Sequence, residues 1–280
     1  MAYYTKITKQ EFKKYIQNYS LEELYHYRGI DEGIENTNYF FRTKSKKYIL
    51  TIYENKITER IKEKNLSFFI ELINFLRKKK FPCPRILHSS NNKQLNTYKK
   101  NQFSIVDFVE GKITKKINNK HCYSLGRILA TLHKKTLRFK KKRKNDFSLN
   151  EWGNLTKKIK LSINEKKYLN EEIKYIKKNW PKNLPKGIIH GDLFPDNVFF
   201  KKNNIVGIID LSNACNDFYC YDLSICINAW CYEKNLSIDK MKSLINGYNK
   251  IRKIGKNEIN HLNFFLRASS LRFYLSRLMD

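Results

Sequence analysis

The feature that most constrains the fold is a polar octapeptide, His190–Asn197 (HGDLFPDN), set among short apolar runs. Two of these runs, 197–200 and 205–210, follow the octapeptide and are separated by turn residues, which predicts a hairpin of short strands. The second run ends in a carboxylate, Asp210, thirteen residues after Asn197. The end of the second strand of a hairpin lies beside the start of the first strand, and therefore near the loop that precedes the hairpin. The pattern therefore predicts one site built from the octapeptide and the end of the hairpin.

The side chains of this predicted site suit phosphoryl transfer. That reaction needs a carboxylate that orients or deprotonates the attacking hydroxyl, and oxygen ligands that hold Mg²⁺ on the phosphates. Asp192 is predicted to be the catalytic residue, and Asn197 and Asp210 the magnesium ligands, because Mg²⁺ prefers hard oxygen ligands and keeps several waters. The spacing H-x-D-L-x-x-x-N is typical of kinase catalytic loops. An Asp- and Asn-rich turn is the structural alternative, and the hairpin that ends in Asp210 disfavours it.

The first part of the chain is rich in predicted strands. Two S/T-x-x-E sequences, Thr8–Glu11 and Ser20–Glu23, have the form of capping boxes and predict two short helices. Aromatic and β-branched runs at 37–43 and 47–53 predict an antiparallel hairpin. Hydrophobic periodicity then predicts a helix at 58–79, and a last apolar run predicts a strand at 102–108.

Helical patterns dominate from about residue 110 onward. Apart from the strands around the octapeptide, we predict helices at 118–133, 163–178, 219–233, 238–251 and 258–278. We therefore expect a nucleotide-binding lobe at 1–110 and a catalytic, acceptor-binding lobe at 111–280.

The net charge of +30, from 56 Lys and Arg against 26 Asp and Glu, would by itself favour a polyanionic partner. The lysines are spread along the whole chain, and Asn and Ile are abundant too, which is the composition that an AT-biased genome produces. The dense run at Lys140–Lys144 is read as a solvated loop. Nucleic acid is therefore not expected to be a partner.

Neither a membrane nor a metal framework is expected from the rest of the composition. No run of eighteen apolar residues and no secretory signal is present, so we expect a cytoplasmic protein that makes no membrane contact. The separations of the six cysteines match no close C-x-x-C pair of a structural zinc site, so we expect reduced, mostly buried thiols.

The H-G-D form of the loop resembles the aminoglycoside phosphotransferase and choline kinase branch of the protein-kinase-like fold, and within it the homoserine kinases. The resemblance rests on segments spread over essentially the whole chain: Gly29–Thr43, Tyr48–Glu54, Phe81–Pro84, His190–Phe200, Ala214–Glu233 and Leu271–Asp280. It implies an α+β, bilobal fold with a small antiparallel-sheet N-terminal lobe and a larger, mainly helical C-terminal lobe. It further implies ATP-dependent phosphorylation of L-homoserine on its side-chain hydroxyl, a step of threonine biosynthesis, by a monomer or homodimer.

The resemblance also implies where ATP binds. A loop over its phosphates and a hinge against adenine supply the predicted nucleotide contacts: Gly29, Gly33, Asn36, Thr37, Asn38, Val106 and Val109. The chain departs from protein kinases at Thr51, where they carry a phosphate-binding lysine, and Lys47 or Lys56 are the candidate replacements. A second departure is Leu211-Ser212-Asn213, which follows Asp210 where relatives are expected to have an aromatic pair.

L-Homoserine carries an ammonium, a carboxylate and a hydroxyl, so its site requires acidic and basic or N–H-rich groups. Acceptor contacts are predicted among Asp217, Asn228, Trp230, Glu233, Arg267 and Arg272, with Asp222 as either a structural brace or an acceptor contact. A choline kinase, which would need an aromatic cage, and an aminoglycoside-type kinase are alternatives. A non-catalytic protein that binds anions or nucleic acid through its positive charge is another.

Overall fold

The computed structural model describes residues 5–31, 36–54 and 63–278, which fall into two compact units, Met1–Glu110 and Gly111–Asp280. The first unit contains a five-stranded antiparallel sheet of order β1-β2-β3-β5-β4. Its elements are α1 (Lys9–Ile16), β1 (His26–Ile30), β2 (Thr37–Arg42), β3 (Lys47–Tyr53), α2 (Glu63–Lys78), β4 (Asn96–Tyr98) and β5 (Asn101–Asp107).

The core of this unit is formed by the side chains on one face of the sheet, because buried and more exposed residues alternate along the strands. Tyr39 and Phe41 on β2 and Leu50 on β3 are buried on one face, because successive residues of a strand point to opposite sides. α1 begins at a capping box in which Thr8 and Glu11 satisfy each other's backbone N–H groups, as predicted. Its Phe12 packs edge-on against the rings of Tyr39 and Phe41.

The second predicted N-terminal helix is wrong. Residues 21–25 are irregular, and the Glu22 carboxylate accepts hydrogen bonds from the backbone N–H and hydroxyl of Ser45, in the turn between β2 and β3. This tertiary contact ties the irregular segment to the β2–β3 turn. β1 follows, and Gly29 pairs with Tyr39 in it, so Gly29 lies in a strand rather than in a loop.

The second unit is mainly helical. It contains α3 (Asn119–Lys135), α4 (Leu149–Lys158), α5 (Ile163–Asn179), β6 (Lys186–Ile189), β7 (Val198–Lys201), β8 (Asn204–Ile208), β9 (Cys215–Phe218), α6 (Tyr219–Trp230), α7 (Ile238–Asn249), α8 (Lys256–Asn260) and α9 (Leu262–Arg277). Two-stranded antiparallel sheets join β6 to β9 and β7 to β8. α6 is buried on nearly all sides, and its residues pack with α5 and α9 around Phe265 and Trp152.

Several predicted elements differ in extent. The predicted helix at 58–79 is seen from Glu63, and 55–62 lie outside the described residues. The run at 258–278 is two helices, α8 and α9, which meet at His261. β4, β9 and α4 had not been predicted. The predicted solvated loop at Lys140–Lys144 is wrong for one residue, because Arg143 is buried.

Two further expectations concern membranes and thiols. None of the helices within the described residues is long and apolar enough to cross a bilayer. The six cysteines are free and buried. Burial raises the pKa of the Cys83 thiol to about 12, which keeps it protonated.

Candidate active site

The octapeptide forms a loop between β6 and β7, ending in a 3₁₀ turn at Pro195–Asn197. Gly191 has φ of +76°, in the left-handed region that favours glycine. A Cβ atom at Gly191 would also lie 2.9 Å from the carbonyl oxygen of Asn213. Glycine is therefore required between His190 and Asp192.

Three hydrogen bonds bring the predicted catalytic and metal-binding residues together. The Asn197 amide donates to the carbonyl of Asp192 at 2.9 Å, and Ile209 N–H donates to the carbonyl of Asn197 at 3.0 Å. A ring nitrogen of His190 lies 3.2 Å from the carbonyl of Ile209. Asp210 follows directly, so its carboxylate stands at the same end of the β7–β8 hairpin as Asn197.

The residues after Asp210 contact the two carboxylates of the site. Ser212 donates its backbone N–H to Asp210 Oδ1 at 3.2 Å. The Asn213 amide donates to Asp192 Oδ2 at 3.3 Å. The predicted departure from relatives is thus occupied by two polar residues that orient the carboxylates. Asp210 itself has φ of +55°, a conformation that Asp tolerates better than most residues.

Asp192 titrates in a mixed environment. Burial raises the pKa of Asp192 above its ordinary value, the Arg272 charge opposes that rise, and the nearby Asp210 carboxylate adds to it. A carboxylate with a raised pKa is a better proton acceptor than an exposed one.

The backbone of the loop is held at five polar groups. The carbonyls of Gly191, Asp192 and Leu193 accept from the side chains of Arg272, Asn197 and Trp230, and the N–H groups of His190 and Gly191 donate to Asp222. Trp230 is fully buried and donates its indole N–H at 2.8 Å. Trp230, which had been predicted among the acceptor contacts, therefore braces the loop, and so does Asp222, for which a structural brace was one of the two predictions.

Asp222 is a buried carboxylate with three donors. Its Oδ2 accepts from His190 N–H at 2.8 Å and lies 3.0 Å from His133 Nε2, and its Oδ1 accepts from Gly191 N–H at 2.9 Å. Burial raises the pKa of Asp222, but the hydrogen bonds and charges around it outweigh this and hold the pKa below the ordinary value. Asp222 thus satisfies the catalytic loop rather than the N-terminus of its own helix.

His133 on α3 extends this network. Burial lowers the pKa of His133, which keeps the ring neutral. Because Nε2 faces the Asp222 carboxylate, it carries the proton, and Nδ1 accepts from the Tyr248 hydroxyl at 2.7 Å. The Tyr248 oxygen in turn accepts from Arg252 at 3.2 Å. Along this series of hydrogen bonds, each donor points toward Asp222.

The other predicted acceptor residues differ in their partners. Asp217 accepts from the Asn145 amide at 2.7 Å and from Phe218 N–H, and burial raises its pKa while the bond from Asn145 opposes the rise. The Asn228 amide donates to Leu266 O, Ser269 and Ser270.

Two further candidates lie in surface ion pairs. Glu233 pairs with Lys240, and Arg267 pairs with Glu172 while stacking over the ring of Tyr175. Neither contacts the catalytic loop within the described residues.

The predicted nucleotide contacts lie in the first unit. Asn36 has a buried Oδ1 with no hydrogen-bond partner among the described residues. Thr37 donates to Glu54, and Asn38 Oδ1 accepts from the Thr51 hydroxyl at 2.7 Å. Val106 pairs with Ile49 in the sheet.

The remaining nucleotide predictions have other outcomes. Val109 is half-buried just after β5. Gly33 and Lys56 lie outside the described residues. Lys47 lies on β3, four residues before Thr51, and its ammonium forms an ion pair with Glu110 at 2.9 Å.

Sequence reasoning missed the segment that precedes α4. Arg143 donates to the carbonyl of Ala214, and its backbone N–H donates to Asn216. Phe147 lies under the guanidinium of Arg272. The only signal in the sequence was the basic run itself, which is equally typical of a solvated loop.

The donor set at the hairpin fits a magnesium ion. The Asn197 amide nitrogen is engaged by Asp192 O, which leaves its oxygen facing elsewhere, and Asp210 is exposed. Within the described residues no cluster of three His, Cys, Asp or Glu side chains forms a metal site. Two protein oxygens are sufficient for Mg²⁺ when phosphate oxygens and waters complete its shell.

Comparisons with known proteins show which family the chain resembles over its length. Residues 26–252 match the model of the phosphotransferase enzyme family. The chain is 39% identical to a homoserine kinase of Rhizobium meliloti (strain 1021), over all of this chain and 87% of the relative. It is also 39% identical to a homoserine kinase of Agrobacterium fabrum, over all of this chain and 88% of that relative.

Solved structures of small-molecule kinases share the fold. An amicoumacin kinase determined with AMP-PNP and Ca²⁺ has a TM-score of 0.83 at 14% identity, covering 98% of this chain and 86% of its own. A microcompartment-associated aminopropanol kinase has a TM-score of 0.75 at 15% identity, covering 94% and 88%. The two units thus have the bilobal, protein-kinase-like architecture that had been predicted.

Proposed function

We propose that this chain, which belongs to the phosphotransferase enzyme family, is a homoserine kinase that transfers the γ-phosphoryl group of ATP to the side-chain hydroxyl of L-homoserine. The observation that carries the proposal is the braced loop in which hydrogen bonds link Asp192 to Asn197, and Asn197 to the backbone of Ile209, the residue before Asp210. The 39% identity to homoserine kinases over the whole chain supports the choice of acceptor. The reaction would supply O-phosphohomoserine for threonine biosynthesis.

In this proposal Asp192 acts on the acceptor. Its carboxylate accepts a hydrogen bond from the attacking hydroxyl, aims that oxygen at the γ-phosphorus, and takes the proton as the new P–O bond forms. The raised pKa of Asp192 favours this role. Asn213 holds one oxygen of the carboxylate, so the other is available to the hydroxyl. No covalent phospho-enzyme is required.

Asn197 and Asp210 would hold Mg²⁺, which neutralises charge on the phosphates of bound ATP. The protein's own contribution is to fix both oxygens at one end of the β7–β8 hairpin. For the nucleotide, we propose the contacts named in the first unit, among which Asn36 offers a buried oxygen without a partner in the described part of the chain.

Two alternatives predict other ligands. A choline or aminoglycoside-type kinase would keep the same loop chemistry and differ only in the acceptor pocket. A non-catalytic protein that binds nucleic acid through its +30 charge would have no use for the three linked residues. Its binding would weaken steeply with salt and would survive loss of Asp192.

The test is ADP release with Mg·ATP and a panel of L-homoserine, choline, an aminoglycoside and L-serine. We expect L-homoserine to give turnover in the range of about 1–100 s⁻¹ that is usual for kinases. Asp192→Asn should abolish turnover, whereas Asp196→Asn, an exposed position of the same loop, should retain it.

The panel separates the proposals. If another acceptor is preferred, the loop chemistry stands and the assignment to homoserine is wrong. If no acceptor gives turnover with a folded protein that binds ATP, the kinase assignment is wrong as well.

A further inference from the structure

Arg272 on α9 is a buried arginine without an acidic partner. The residue is 4% exposed, and among the described residues no Asp or Glu lies within ion-pair distance of its guanidinium. One terminal nitrogen donates to the carbonyl of Gly191 at 2.6 Å, and the buried Nε has no hydrogen-bond partner. A buried charge without a counter-charge is costly. The Asp192 carboxylate offsets part of this cost from beyond ion-pair distance, and the unpaired Nε leaves a buried donor that can bind an anion.

The surroundings of the guanidinium favour a carboxylate as that anion. The charge lies 4.6 Å from the ring centroid of Phe147 and 4.2 Å from that of Phe273, so aromatic rings flank it. Aromatic rings stabilise a cation but leave its N–H donors unsatisfied. The fork of N–H groups on arginine matches the two oxygens of a carboxylate.

The position of Arg272 relates this unpaired donor to the reaction. Gly191, which Arg272 contacts, directly precedes Asp192. The Arg272 charge lowers the pKa of Asp192, so the two side chains interact electrostatically. In L-homoserine three carbons separate the hydroxyl oxygen from the carboxylate carbon. An acceptor with its hydroxyl at Asp192 would thus carry its carboxylate close by.

We propose that Arg272 binds the α-carboxylate of the acceptor and thereby selects amino acids over amino alcohols. The inference rests on the proposed function. It also distinguishes Arg272 from Arg267 on the same helix, because Arg267 is neutralised by Glu172 and is exposed. Since Arg272 also holds Gly191, binding of the carboxylate and the position of the catalytic loop depend on the same guanidinium.

The experiment compares L-homoserine with 3-amino-1-propanol, which is the same molecule without the carboxylate. The readout is the ratio of kcat/KM for the two acceptors in the wild-type protein, Arg272→Gln and Arg272→Lys. We expect a wild-type preference for homoserine of about 10–100-fold, as for a charge-assisted hydrogen-bonded pair. Arg272→Gln should reduce the ratio to near one, and Arg272→Lys, which keeps the charge without the fork, should give an intermediate value.

The ratio removes effects that are common to both acceptors. If Arg272 only positions the loop through Gly191, the variants lower both kcat/KM values by the same factor and the proposal is wrong. A wild-type ratio near one also overturns it, without any variant. Arg267→Gln, five positions earlier on the same helix, should leave the ratio unchanged.

Failure of the proposed function has a different signature. A wild-type protein that phosphorylates neither acceptor contradicts the homoserine kinase assignment itself. Thermal unfolding and the Kd of Mg·ATP are measured for every variant, so that loss of folding is not read as loss of specificity.

Discussion

At the scale of single residues, the second unit places two aspartates in opposite environments. Asp192 has a raised pKa because burial exceeds the stabilisation that its neighbours provide. Asp222 is more deeply buried, yet it accepts from two backbone N–H groups and from His133, which keep it ionised. In the proposed reaction the same residue type would therefore serve as a proton acceptor in one position, while in the other it accepts hydrogen bonds from loop N–H groups.

Replacement of Asp222 by Asn should strongly destabilise the protein. All three groups around the Asp222 carboxylate are hydrogen-bond donors. The NH₂ group of an asparagine would face at least one of these donors, and that buried donor would lose its acceptor. We expect the free energy of unfolding to fall by about 1–3 kcal/mol for each buried donor that is left without an acceptor. Urea denaturation of Asp222→Asn measures this.

Asp196→Asn is the matched control, because Asp196 is exposed on the same loop. It should change the free energy of unfolding by no more than about 0.5 kcal/mol. A change below about 1 kcal/mol for Asp222→Asn would mean that the loop does not depend on this carboxylate.

The residues of the site were predictable where one linear motif contains them. Asp192 and Asn197 lie within eight residues of sequence, and Asp210 ends the next hairpin. The groups that hold the loop come from distant helices, such as His133 on α3 and Trp230 on α6. Local sequence carries no signal for such contacts, because a buried His or Trp fits an ordinary core equally well.

At the scale of elements, the crossing of α3 and α7 supports this network. A Cβ at Gly126 would lie 2.0 Å from the carbonyl oxygen of Leu244, and a Cβ at Gly247 would lie 2.0 Å from that of Tyr123. The two helices therefore approach through reciprocal glycines. His133 and Tyr248 hydrogen-bond across the same pair of helices at 2.7 Å, so the close approach sets their distance.

Gly126→Ala should destabilise the second unit, because a backbone carbonyl cannot move aside as a flexible side chain can. Overpacking of this kind costs about 1–3 kcal/mol and sometimes more, which for a unit of this size lowers Tm by roughly 2–4 °C per kcal/mol. Turnover should fall as well, since the helices would separate His133 from Tyr248. Differential scanning calorimetry and the ADP assay test the two effects.

Gly153→Ala on α4 is the comparison for this prediction. Its nearest neighbour would be the Lys177 ammonium at 3.8 Å, which is ordinary contact. A helix interior gains roughly 0.5–1 kcal/mol from Ala over Gly, so Tm should rise slightly. Equal changes in Tm for the two variants would contradict the role assigned to the crossing.

The elements that were predicted correctly are those whose own sequence has a clear period. β3 was predicted with its observed bounds, Lys47–Tyr53, because aromatic and β-branched residues alternate there. The capping motif at Ser20–Glu23 did not form a helix: residues 21–25 are irregular, and Glu22 within the motif is held by Ser45 of the β2–β3 turn. The short β9 was missed since its pairing with β6, rather than its composition, makes it a strand.

At the scale of the whole molecule, the +30 charge is expected to attract anions over long range. Mg·ATP is an anion, whereas L-homoserine is a zwitterion with no net charge near pH 7. A strongly positive protein raises the encounter rate of anions, and salt screens the effect because the Debye length falls to about 8 Å at 0.15 M. The two substrates should therefore respond differently to ionic strength.

We expect kcat/KM for Mg·ATP to fall several-fold between about 0.02 and 0.3 M potassium chloride, a range in which the Debye length shortens by roughly fourfold. The value for L-homoserine at saturating Mg·ATP should change by less than about twofold, because a zwitterion experiences little net attraction. Initial rates in potassium acetate at the same ionic strengths control for specific binding of chloride. Equal losses for both substrates would indicate that salt acts on the fold or on Arg272 rather than on encounter. A flat response of Mg·ATP would mean that the positive charge is a feature of composition alone, without consequence for the reaction.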